Sequence, residues 1–247
     1  MTDAQGWRRK FGVIAPSTNT IVEPDFNRMR PPGVTAHIGR IYIEDQNMAD
    51  DAGMERLLDQ IRQEIGGACD RVMTCEPDYM VMGMSAETFW GGVEGNRAFI
   101  KLINDRTGLQ VATGAQACER ALQTYGAKKI GVVTPYQPVG DENVIRFFGE
   151  IGFEVVALKG LKCPTAVSIA HVTEDELRDA LIEVNGPDVD AIIQCGTNLS
   201  MVSLADEAER WFHKPVIAIN AATWWMALRD NGIDDKIQGC GSLLRDL

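Results

Sequence analysis

Cys195 closes an apolar run, Asp190-Ala-Ile-Ile-Gln194, and is followed at once by Gly196, Thr197 and Asn198. A thiol so placed can pass a proton to or from carbon. Where a strand gives way to a helix, unpaired backbone N–H groups and the positive end of the helix dipole collect. That setting suits a carboxylate or an enediolate oxygen and shifts a thiol from its ordinary pKa of about 8.5. A buried, inert cysteine is the competing reading; the small polar residues after Cys195 favour chemistry. A segment of the same shape, DYMVMGMSAETF at 78–89, lies 112 positions earlier and ends in Gly83, Met84 and Ser85, with a hydroxyl but no thiol. Ser85 can hold a carboxylate or cap a helix, and Glu87 suits first-turn capping. Tyr136, after Pro135, can turn its phenol towards the same space or pack on the surface. Pro16 and Asn19 in PSTNT end another apolar run, where Asn19 can cap a helix or offer its amide to a substrate oxygen.

Eight apolar, β-rich runs would position these groups: 11–15, 36–43, 79–83, 110–113, 129–134, 153–161, 191–195 and 216–219. Helical patterns separate them at 54–72, 95–105, 116–125, 142–150, 173–184, 205–211 and 222–229. This alternation predicts an α/β fold of parallel sheets covered by helices on both faces. GVIAPSTN and GVVTPYQP form a second similar pair, 119 positions apart. Two pairs in the same order at nearly one offset predict two pseudo-symmetric halves of the Rossmann or flavodoxin kind, each of about four strands. The expected division is 1–117 with a returning helix at 221–247, and 118–220. Ligands of such sheets sit outside the carboxyl ends of the strands. The segments at 16–19, 83–85, 135–136 and 195–197 should therefore surround one cleft between the halves.

Composition narrows the function. The 247 residues carry a net charge of −11 and no Lys/Arg cluster, which argues against nucleic acid as a partner. No apolar stretch is long enough to span a membrane, and the first residues read as no signal peptide, so a cytoplasmic location is expected. The six cysteines form no CxxC pair and no metal-type cluster with histidine. Most should be free thiols, with Cys69, Cys118 and Cys240 as small buried hydrophobes. The three histidines share no catalytic spacing. No P-loop or GxGxxG fingerprint supports a nucleotide cofactor. The Phe89-Trp90 and Trp224-Trp225 pairs read as core or subunit-contact aromatics.

Taken together, VIAPSTNTIVEPDF, KKIGVVTPY and IIQCGTN resemble the aspartate/glutamate racemase superfamily, in particular its maleate isomerase and arylmalonate decarboxylase branch. The resemblance implies two pseudo-symmetric α/β halves with the site between them, a small mono- or dicarboxylate substrate, and no cofactor or metal. Racemases and maleate isomerases of the group carry a cysteine in each half. Here the first-half position falls at Gly83 or Met84, which matches the single-thiol arrangement of the decarboxylases, where M-G-x-S recurs. The implied chemistry is decarboxylation of a malonate-like acid. Ser85, Tyr136, the Met84 backbone and the Gly196-Thr197 amides hold one carboxylate, and Cys195 protonates the enediolate. Three positions depart from the decarboxylase pattern: Met84 replaces a threonine, Asn19 follows the isomerases, and Cys163-Pro164 stands where isomerases have asparagine. Isomerase or racemase activity on a small carboxylic acid is the alternative, and a non-catalytic carboxylate sensor is the alternative of another class. A homodimer or larger assembly is expected from the aromatic count and by analogy with the family.

Overall fold

The computed structural model describes residues 3–247. Its chain begins with β1 (Arg9–Pro16), α1 (Val22–Arg28), β2 (Val34–Ile41), α2 (Asp51–Met73), β3 (Tyr79–Met82), α3 (Ala86–Phe89), α4 (Gly92–Thr107) and β4 (Val111–Ala112). Helix α5 (Gly114–Tyr125) leads to β5 (Lys129–Thr134), α6 (Pro138–Glu150), β6 (Glu154–Gly160), α7 (Glu174–Val184), β7 (Ala191–Gln194), α8 (Val202–Phe212) and β8 (Val216–Ala218). Helix α9 (Ile219–Asp230) and the single turn α10 (Ser242–Arg245) close it. All strand pairs are parallel, in two four-stranded sheets ordered β2-β1-β3-β4 and β6-β5-β7-β8. The fold is thus α/β in two similar halves.

Local sequence explains the elements. Both β3 and β7 are buried along their whole length, as continuous apolar runs require when helices cover both faces of a sheet. Helix α2 turns Met54, Leu57, Leu58, Ile61 and Ile65 inward at the three-and-four spacing of one helical face. Helices α4 and α5 stop at Gly108 and Gly126, whose left-handed backbone glycine adopts without a Cβ clash. Helix α7 starts with a capping box between Thr173 and Glu176.

Strand register makes the internal symmetry specific. Ile14 of β1 pairs with Met82 of β3, and Val133 of β5 pairs with Gln194 of β7. One residue on, the Gly83 N–H donates to the Ile14 carbonyl and the Cys195 N–H to the Val133 carbonyl, both at 2.8 Å. Gly83 and Cys195 therefore occupy equivalent places in the two halves, with Met84 matching Gly196 and Ser85 matching Thr197.

After the second sheet is complete, α9 returns to the first. Trp224, fully buried, stacks on Phe26 at 4.8 Å and meets Phe11 edge-on at 5.2 Å. Its Nε1 donates to the Met29 carbonyl at 2.8 Å, so the buried indole is satisfied. Trp225 is also buried, beneath the Arg120 guanidinium.

All eight expected strands form, and the differences lie at their ends. Strand β4 shrinks to two residues because Thr113 turns away to cap α5, accepting from the Gln116 N–H. The short helices α1, α3 and α10 fall outside the expected helical patterns, each too brief to show an apolar period, although Asn19 and Ser85 stand as possible caps just before the first two. No helix among the described residues is long and apolar enough to cross a membrane.

Candidate active site

The carboxyl ends of β1, β3, β5 and β7 open on a common cavity of about 60 Å³. Seven of the nine candidate residues line it: Pro16, Asn19, Met84, Ser85, Tyr136, Gly196 and Thr197. Gly83 and Cys195 do not reach its wall. Each lies one residue behind a lining position, and Cys195 is fully buried. The opposite wall is apolar, built from Ile43, Met48, Met54, Leu57, Ala166 and Ile169. No charged side chain lines the cavity among the described residues.

The polar wall joins the two halves. Ser85 Oγ lies 2.6 Å from Tyr136 Oη and accepts the Thr197 N–H at 3.2 Å. Thr197 Oγ1 donates to the Gly83 carbonyl at 3.2 Å and accepts from Asn19 Nδ2 at 3.1 Å. The equivalent residues Ser85 and Thr197 thus meet between the halves. Ser85 begins α3 but makes no side-chain cap, so its hydroxyl is free for this contact. Glu87 makes no cap either; its carboxylate pairs with Arg62 at 2.8 Å. Asn19 caps the start of α1, its Oδ1 accepting the Ile21 and Val22 N–H groups, while its Nδ2 donates to Thr197 Oγ1 at the cavity wall. Between Ser85 and Tyr136, either hydroxyl can be the donor; whichever donates, the other keeps its proton for a ligand.

Burial dominates the electrostatics. It pushes the Cys195 thiol well above its ordinary value, and the neighbouring Cys118 thiol pushes it further, with the charge of Asp141 acting the same way. The Tyr136 phenol is also raised, chiefly by burial and against the opposing bond from Ser85. At rest both groups hold their protons. A thiol held protonated can donate its proton and is a weak nucleophile.

The structure adds contacts that the sequence did not show. Asn198 lines the cavity, accepts the Thr20 N–H and donates to the Ala166 carbonyl, tying the loop after β7 to both halves. Cys118, read from sequence as packing, contacts Cys195. Asn220 Nδ2 donates to the Thr197 carbonyl at 3.0 Å and to Asp25 Oδ2 at 2.8 Å. A lone Asn at a helix start and an Asp within a helix gave no periodic or motif signal.

Asp25 carries a pH prediction. Burial pushes its carboxyl up to about 6, against the Asn220 bond and the charge of Arg28. The native state then binds more protons than the unfolded chain between the ordinary value of 3.8 and about 6. This stabilising contribution is full below the lower value and lost as pH rises through the upper one. Asp25→Asn, whose Oδ1 can still accept from Asn220, should stabilise the protein by up to about 3 kcal/mol at about pH 8. The gain should fade towards about pH 4; paired urea unfolding curves at the two pH values measure it.

Comparison with known proteins gives this geometry a family. The fold and site define a two-half α/β protein with its cavity at the carboxyl ends of both sheets. A family model described as arylmalonate decarboxylase matches residues 13–244, and the chain belongs to that family. A maleate isomerase of Pseudomonas putida is 26% identical over 247 residues, covering 95% of this chain and 96% of the relative. The arylmalonate decarboxylase of Bordetella bronchiseptica is 25% identical, covering 89% of each. Among solved structures, a Nocardia farcinica maleate cis-trans isomerase mutant with a covalently bound succinylcysteine intermediate superposes with a TM-score of 0.87 at 20% identity. It covers 97% of this chain and 99% of its own. A mutant arylmalonate decarboxylase in liganded form superposes with a TM-score of 0.84 at 20% identity, covering 97% and 100%.

Proposed function

We propose that this protein decarboxylates a malonate-like dicarboxylic acid and that Cys195 alone protonates the carbon left behind. The observation that carries this reading is Gly83 in the place equivalent to Cys195. A Cβ at Gly83 would stand 3.1–3.2 Å from Ala15 Cβ, the Ile14 carbonyl oxygen and Val22 Cγ2, so these neighbours would have to give by a few tenths of an ångström to admit any side chain. Cys118 lies close enough to Cys195 to raise its pKa and so stands beside that thiol.

One substrate carboxylate takes the donors now spent within the protein: the Ser85 and Tyr136 hydroxyls and the Thr197 N–H. The second carboxylate faces the apolar wall, where no charged or hydrogen-bonding side chain stands to hold it and a charged group is least stable. Its carbon–carbon bond breaks, carbon dioxide leaves, and the electron pair stays as an enediolate. The donors that held the first carboxylate now hold the oxygens on which charge has grown. A single donor of this kind is typically worth about 3–4 kcal/mol. As the substrate parts the Ser85, Tyr136 and Thr197 contacts, the Cys195 S–H one residue behind that wall gives its proton to carbon, and the thiolate recovers a proton from solvent. The reading invokes no cofactor.

A second reading, isomerisation of a maleate-like acid, is favoured by one observation: the name maleate isomerase recurs among the curated relatives. In the solved isomerase mutant a cysteine carries a succinyl group, so a thiol there has bonded to carbon. The raised Cys195 thiol suits proton delivery better than such an addition. The test is carbon dioxide release from a panel of substituted malonates, with maleate-to-fumarate conversion followed on the same preparation. We expect release from malonates bearing an apolar substituent and no fumarate; the reverse pattern would establish the isomerase reading.

A further inference from the structure

We propose that Asp141 is a positioning residue of this site, acting on Tyr136 through the Thr134 hydroxyl and setting a negative charge behind Cys195 and Tyr136. The inference rests on the reading of those two residues given above.

Asp141 lies in the first turn of α6, only 8% exposed. Its Oδ1 accepts the Thr134 hydroxyl, and Thr134 Oγ1 in turn accepts the Tyr136 N–H at 3.2 Å. An ionised carboxylate can only accept, so it fixes the direction of the Thr134 proton and leaves an Oγ1 lone pair for Tyr136. The end of β6 is shaped around this carboxylate, because any side chain at Gly160 would collide with it. Among the described residues, Asp141 belongs to no ion pair.

A buried carboxylate without a cationic contact is costly, and such groups concentrate at functional sites. The groups that face it are few. Lys162, just beyond β6, lowers its pKa from a distance, while Tyr136 after β5 and Cys195 after β7 both feel its charge. Asp51 of α2 lies nearby, accepting the Val139 N–H in the same turn of α6. Burial outweighs these and pushes Asp141 up to about 6. Above that pH its charge adds to the burial that keeps the thiol and the phenol in the protonated forms that proton delivery and carboxylate binding need. Below it, the charge is gone.

Thiol chemistry tests this without relying on turnover. Well below its pKa, a thiol reacts in proportion to its small thiolate fraction, so a lowered pKa appears as a faster reaction. Wild type and Asp141→Asn are treated with methyl methanethiosulfonate, and modification of Cys195 is timed by mass spectrometry, with Cys69 as internal control. The variant keeps the acceptor for Thr134 and loses the charge. At about pH 8, Cys195 should react about three- to tenfold faster in the variant. At about pH 5, where Asp141 is neutral in wild type as well, the two rates should converge. Cys69 should react alike in both.

Steady-state kinetics then tests the relay. Thr134→Val and Asp141→Ala should raise KM about three- to tenfold, and Asp141→Asn should restore it. Equal Cys195 rates in wild type and Asp141→Asn at both pH values overturn the proposal, as does an unchanged KM in Thr134→Val. If no dicarboxylate is turned over but the pH-dependent thiol difference is seen, the proposed function fails while the role of Asp141 in setting the Cys195 proton stands.

Discussion

On the proposed mechanism, replacing Cys195 by alanine should lower turnover of a malonate-like acid by about 10²–10⁴-fold, the usual contribution of a positioned proton donor. The loss should appear in kcat, because the thiol makes its contribution when charge reaches carbon and not when the carboxylate binds. Binding should survive, since the donors are Ser85, Tyr136 and the Thr197 amide. Folding should survive as well. The thiol is fully buried, and its removal leaves a small void that costs about 1–2 kcal/mol. A thermal unfolding curve beside single-turnover kinetics separates the two effects. A Cys195→Ala enzyme with wild-type kcat would remove this residue from the chemistry.

Replacing Ser85 by alanine should be nearly as damaging for a different reason. Its hydroxyl is the common partner of the Tyr136 phenol and the Thr197 N–H, and all three residues are buried. Removing it strands two polar groups, a loss of about 1–3 kcal/mol of stability. It also takes one donor from the growing oxyanion, a loss of about 10²–10³-fold in kcat. The two variants thus differ in kind: Cys195→Ala stays close to wild type in stability while catalysis collapses, whereas Ser85→Ala loses both. Urea unfolding and kinetics on the same preparations show which pattern holds.

Much of this arrangement was legible in the chain. The apolar runs at 79–83 and 191–195 are long enough, and sufficiently free of charge, to be central parallel strands, and both are. The 112-residue offset was informative because Ser85 and Thr197 occupy matching ends of equivalent strands and meet across the halves. Sequence left the counterpart of Cys195 open between Gly83 and Met84; strand register resolves it, because only Gly83 repeats the hydrogen bond that Cys195 makes to the neighbouring strand.

Less visible was everything that depends on distant elements converging. Asp25 and Asn220 are 195 positions apart and meet only because α9 returns to the first sheet. Cys118 looked like packing because nothing in its own helix shows that Cys195 will lie against it. For Ser85, sequence leaves carboxylate binding and helix capping, the common fate of serine at a helix start, side by side. Only the approach of Tyr136 from the other half shows why its hydroxyl is used elsewhere.

The most direct test of one-sided proton delivery is the stereochemical fate of a malonate with two different substituents, one methyl and one phenyl, decarboxylated in heavy water. A lone thiol on one face predicts a monocarboxylate carrying one deuterium at the α-carbon and recovered as essentially one enantiomer. A racemic product from the intact enzyme, formed at a rate that Cys195→Ala does not change, would contradict the account.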